Sequence, residues 1–106
     1  MPPIDYMKVL DIAALTLEAG SHIELNALDL KLFKASLTRE DGSVLSIILK
    51  INEYDLELSI DKEVLDKKQF QEWLTKFEFQ LEQNFFKNIS LESHGNEKEY
   101  KIKILF

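Results

Sequence analysis

No cysteine occurs in the 106 residues, which excludes a disulfide framework, a thiolate zinc site and a cysteine nucleophile. That absence fits a reducing compartment, and a cytoplasmic location is the expectation. Arginine is nearly missing too: Arg39 stands alone, so bidentate base reading would rest on one side chain. The net charge is −6, whereas a sequence-independent grip on nucleic acid needs clustered Lys and Arg. No nucleic-acid partner is expected. The glycines Gly20, Gly42 and Gly95 all fall at expected helix ends or turns. None remains for a phosphate-cradling loop, and neither the GxGxxG nor the P-loop pattern occurs. No apolar run approaches the roughly 20 residues that span a bilayer, and MPPIDYMK lacks the basic-then-apolar layout of a signal peptide. No membrane partner is expected.

Groups capable of chemistry are equally sparse. His22 and His94 are the only histidines, each near a glycine at an expected turn and without metal-ligand spacing. No metal and no cofactor are expected. The serines lack a nucleophile elbow. Asp55, Glu57 and Asp61 could act as paired carboxylates, since residues two apart on a strand face are about 7 Å from each other. They read better as the wet face of an amphipathic strand, opposite Lys31 or Lys34. Lys98, Lys101 and Lys103 alternate with Tyr100, but Glu97 and Glu99 cancel much of their charge. They suit an edge strand that discourages sheet-to-sheet aggregation. No small-molecule ligand is indicated, and the chain is not expected to be an enzyme.

What the chain does have is patterned apolar residues. Hydrophobic residues make up 45% and charged ones 30%, the balance of a soluble globular protein, and residues 1–106 are expected to form one domain. Its organising stretch is 66–88, DKKQFQEWLTKFEFQLEQNFFKN, expected as one helix. Asp66 is placed to cap it, and Gln69 three residues later completes a capping box; a start near Asp61 is the alternative. At about 100° per residue, Phe70, Trp73, Leu74, Phe77, Leu81 and Phe85 share one face. Phe79 and Phe86 project about opposite that core stripe, with Glu82 and Gln83 beside them. These four residues are the candidate partner-binding site. The bland alternatives are that a second layer of the fold covers the pair, or that the helix ends near Phe85 and Phe86 folds back.

Residues 5–19 form an apolar cylinder with a narrow polar stripe of Lys8, Asp11 and Glu18. A buried helix capped by Asp5 and closed at Gly20 is expected, with a strand as the alternative. From Ser21 the period becomes two. Phase changes point to a turn near Asn26, a second strand over 28–39 and a bulge near Leu32–Phe33. Glu40 to Ser43 reads as a hairpin turn, with Gly42 at positive φ. Val44–Ile51 is apolar on both faces and reads as a central strand with some cover on each side. Tyr54, Leu56, Leu58 and Ile60 are expected to point inward. Ile89 and Leu91 open a last hairpin that turns at 93–96 and ends with Tyr100, Ile102, Ile104 and Phe106 inward.

Sequential antiparallel strands with helices before and between them define an α+β class. The expected architecture is an N-terminal helix, an antiparallel β-meander, one long amphipathic helix packed on the sheet and a C-terminal β-hairpin. Functionally, the expectation is a non-enzymatic protein–protein interaction module, a small acidic adaptor, inhibitor or immunity-type protein. Its partner would be another protein or a second copy of itself, as a homodimer. The order helix, three strands, helix, two strands in a small acidic chain also resembles the type III secretion chaperones. That resemblance implies client binding, with the second helix contributing to a dimer interface.

Overall fold

The computed structural model describes residues 5–17, 22–62, 65–86 and 88–105. Along the chain these form α1 (Tyr6–Leu17), β1 (His22–Asp29), β2 (Leu32–Thr38), β3 (Val44–Ile51), β4 (Leu56–Asp61), α2 (Lys67–Phe85), β5 (Ser90–Gly95) and β6 (Glu99–Leu105). The six strands make one sheet in the order β1-β2-β3-β4-β6-β5, and every neighbouring pair is antiparallel. The α+β expectation holds element by element. Because β6 returns between β4 and β5, the edges of the sheet are β1 and β5.

α2 starts where its sequence says it should. The Asp66 carboxylate accepts from the Gln69 backbone N–H at 2.8 Å, and the Gln69 side chain accepts from the Asp66 N–H at 3.1 Å. The reciprocal bonds satisfy two donors at the helix start. From there Phe70, Trp73, Phe77 and Leu81 are buried, while Leu74 and Phe85 pack at the margin of the core. Each fully buried large apolar side chain contributes about 1.5–3 kcal/mol of transfer free energy. α1 lies on the same side of the sheet. The Trp73 indole N–H donates to the Ala13 carbonyl at 3.1 Å, joining the helices at a point where Ala13 and Ala14 leave room for close approach. The Phe70–Tyr100 stack, with centroids 3.9 Å apart, carries the packing down to β6, while Trp73 stacks on Phe77 at 4.9 Å within α2.

The inward set of the sheet is Ala35, Leu37, Leu45, Ile47, Leu49, Leu56, Leu58, Ile60, Ile102 and Ile104, all buried. Their registered partners alternate with Ser36, Ser46, Ser59 and Lys101 on the face turned away from the helices. No element covers that outward face among the described residues.

Several local expectations are corrected. β1 runs straight through Asn26, and the turn lies at Leu30–Lys31, where the Asp29 carboxylate accepts from the Leu30 N–H at 2.7 Å. The bulge expected near Leu32–Phe33 is there: the register shifts between the pairs Ala27–Phe33 and Asp29–Leu32, with the extra residue, Leu28, on β1. β3 is interior to the sheet yet covered on one face only: Val44 is exposed and Ile48 half-buried. Tyr54 does not point inward. It is 85% exposed because β4 begins at Leu56. The last hairpin turns at Asn96–Lys98, with the Asn96 side chain accepting from the Lys98 and Glu99 N–H groups, so Gly95 is a strand residue and not a turn glycine. β6 is not an edge strand, so Lys101 and Lys103 protect no edge. α2 closes at Phe85, short of Asn88. In α1 the helical alternative prevails over the strand, and Asp5 caps it through the Lys8 N–H at 3.1 Å. Glu18, Gly20 and Phe106 lie outside the described residues.

Candidate interaction surface

Packing Phe70, Trp73, Phe77 and Leu81 inward fixes what α2 turns outward. Phe79 is about 165° from the centre of the buried stripe at about 100° per residue, and 59% of its surface is exposed. Phe86, seven residues on at the C-terminal end of α2, is 91% exposed. Gln83 is exposed between them and Glu82 is half-buried on the neighbouring line. Phe79, Glu82 and Gln83 thus lie on the side of α2 away from the buried stripe, Phe86 stands at the helix end, and the two rings are uncovered among the described residues.

Phe86 holds a second feature. It is the C-cap of α2 in the left-handed conformation, φ 54° and ψ 41°, and its N–H donates to the Glu82 carbonyl at 3.0 Å. It is the only non-glycine residue with positive φ among those described. Glycine is the usual occupant of such a position because a Cβ there costs free energy. Here the position carries a large aromatic ring that gains nothing from burial within its own fold. Backbone strain of this kind collects where function requires it.

Beside this face, α1 and α2 leave a groove of about 490 Å³ lined by Lys8, Asp11, Leu15, Lys76, Gln80 and Asn84. Leu15 is 50% exposed in it. Residues 5–19 were expected to be almost wholly buried, so Leu15 was missed. The signal was present, since on the helical wheel Leu15 falls between Lys8 and Asp11 in the polar stripe. Lys8 arches over the groove with Nζ 5.6 Å from the Phe85 ring centre, a contact that keeps the ammonium in water while its stem covers apolar surface.

The other candidate groupings do not assemble. His22, 3.5 Å from Glu24, is on β1, and His94 is on β5, at opposite edges of a six-stranded sheet. No site can use both. Asp55 accepts from the Asn52 amide in the β3–β4 turn at 2.7 Å, whereas Glu57 lies 3.7 Å from Lys101 and not opposite Lys31 or Lys34. Tyr100 faces the core and stacks on Phe70, so it offers no ring to a nucleobase. Among the described residues no polar side chain is buried, and no three His, Asp or Glu are placed to hold a metal ion. No helix described is long and apolar enough to cross a membrane.

The fold and this face define the class: an α+β sheet layered on one side by two helices, with an aromatic pair turned out from the longer one. No family model matches the chain, and no curated protein or solved structure matches it.

Proposed function

We propose that this chain is a non-enzymatic protein-binding module that contacts its partner through the outward face of α2. Phe79 is the central anchor, Phe86 extends the contact past the helix end, and Glu82 and Gln83 form its polar rim. The observation that carries the reading is the placement of two exposed phenylalanines two helical turns apart, one of them held there at a backbone cost. Large aromatic side chains supply most of the affinity in such contacts, because each buries a wide apolar surface with few rotamers to freeze. The partner is another protein or a second copy of the chain, in a cytoplasmic setting.

Light scattering across a concentration series separates these cases. A mass of twice 12.4 kDa that falls to the monomer value in Phe79→Asp with Phe86→Asp supports self-association through this face. A monomeric wild type leaves a different protein as the partner, to be captured with the wild type and lost with the variant. If the double variant unfolds, both rings belong to the core and the proposal fails.

A second reading, client binding of the secretion-chaperone kind, draws on the two exposed sheet edges, β1 and β5. An extended client segment could add to either edge as a further strand, with main-chain hydrogen bonds giving affinity. A client bound while unfolded favours it, and a partner bound only when folded counts against it.

A further inference from the structure

The hollow between the first turns of α2 and the β5–β6 hairpin is lined by two lysines and, among the described residues, by no carboxylate. It holds about 360 Å³, and its lining includes Lys62, Lys67, Gln71, Ser93, Gly95 and Tyr100, with Phe70 and His94. By contrast, the α1/α2 groove contains Asp11, and the hollow beside Tyr54 contains Glu53 and Asp55. In a chain of net charge −6, this concavity gathers two lysines with no lining carboxylate among the described residues. The register pairs His94 with Lys101 on the opposite face of the sheet, so its imidazole is not counted here.

Lys62 is built into this hollow. Its backbone N–H donates to the Lys98 carbonyl at 3.0 Å, and its Nζ sits 5.2 Å from the centre of the Tyr100 ring. That ring is fixed in turn by its stack on Phe70 and by its hydroxyl, which donates to the Leu65 carbonyl at 3.4 Å. Gly95 lies in a strand and does not need a positive φ. A Cβ there would fit tightly, 3.1 Å from Lys62 Cε and 3.3 Å from both Lys62 Nζ and the Glu99 carbonyl oxygen. The glycine lets the lysine lie flat across the hairpin with its ammonium over the ring.

We propose that this hollow binds a small phosphate-bearing anion. Lys62 and Lys67 supply the charge, and the Ser93 hydroxyl and the Gln71 amide supply neutral donors. The hollow has no guanidinium, since the only arginine, Arg39, lies in the β2–β3 connection, so an anion here meets lysine ammoniums rather than a planar fork. Lysine ammoniums act as point charges, which suit a tetrahedral anion with several oxygens. The site is separate from the outward face of α2 and stands or falls independently of it.

The test is a titration of ¹⁵N-labelled protein with pyrophosphate at constant ionic strength, read by amide shifts. Expected are saturable shifts clustered at Lys62, Lys67, Gln71, Ser93 and Gly95. Lys62→Gln and Lys67→Gln should each weaken binding about tenfold, the loss of one charge-assisted contact. Gly95→Ala keeps every charge but displaces the Lys62 side chain, and should weaken binding several-fold with the amide spectrum otherwise preserved. Shifts scattered over all the lysines, no saturation, or wild-type affinity in the lysine variants would overturn the proposal. Equal affinity for citrate under the same conditions would overturn the phosphate preference.

Discussion

Replacing Phe86 by glycine should stabilise the fold while removing one of the two exposed rings. A non-glycine residue in the left-handed region costs about 1–2 kcal/mol, and Phe86 sits there at φ 54° and ψ 41°. Glycine removes that cost but adds backbone freedom to the unfolded chain worth about 0.5–1 kcal/mol. The ring is 91% exposed, so almost no burial is lost with it. The balance is a gain of about 0.5–1 kcal/mol, or a rise of about 2–6 °C in Tm for a chain of this length. Phe86→Ala is the control, because it deletes the ring and keeps the strained conformation. Its stability should stay within about 0.5 kcal/mol of wild type. Thermal and urea unfolding of the three proteins, with unchanged urea m-values, would establish the order glycine above alanine and wild type. If Phe86→Gly instead lowers Tm by several degrees, the ring is packed against the fold and the reasoning about this face is wrong. Both variants should weaken association through α2, so the glycine variant would be more stable and less functional. That combination is what a strained functional residue produces.

Two further outcomes follow from the same geometry. Asp66→Ala removes the carboxylate that accepts from the Gln69 N–H, leaves the backbone half of the capping box in place, and should cost about 0.5–2 kcal/mol in urea unfolding, with no change in solution mass, since the N-terminus of α2 is remote from Phe79. Asp41 accepts hydrogen bonds from the Ser43 hydroxyl at 2.6 Å and the Ser43 N–H at 2.8 Å, and these, the hydroxyl most, hold its carboxyl below its ordinary value. A lowered folded-state value means stabilisation that is present above the unfolded value and is lost as pH falls through the folded one. Asp41→Asn should therefore make Tm fall less steeply below about pH 4, and an unchanged slope would show that the turn carboxylate is not linked to folding.

How much was legible varied with the range of the forces involved. The α2 cap, its core stripe and its outward phenylalanines could be read directly, because all depend on residues within a few positions of one another. The Gly42 turn and the strand Val44–Ile51 were legible for the same reason. Errors appeared where a local signal had two physical causes. The phase change at Leu28 fits either a turn or a bulge, and only the pairing of β1 with β2 decides between them. Val44 and Ile48 gave β3 apolar residues on both faces, but cover on the second face needs another layer of chain, and both helices pack on the first. Leu15 was lost in the general apolarity of α1 although its angular position lay in the polar stripe. The Lys62 hollow could not be read at all, since Lys62, Gly95 and Tyr100 meet only through the pairing of β4 with β6 and β5 with β6.

The class, the element types and the apolar side of α2 are all written in the order of the residues. Those follow from hydrophobic period, capping and turn chemistry, which are properties of neighbouring residues. The tertiary structure alone decided the strand order, the placement of both helices on one face, the separation of the two histidines at opposite edges, and the pairing of Gly95 with the Lys62 side chain. Each depends on contacts between residues far apart in the chain, where one apolar surface can meet several others and only the assembled core selects among them.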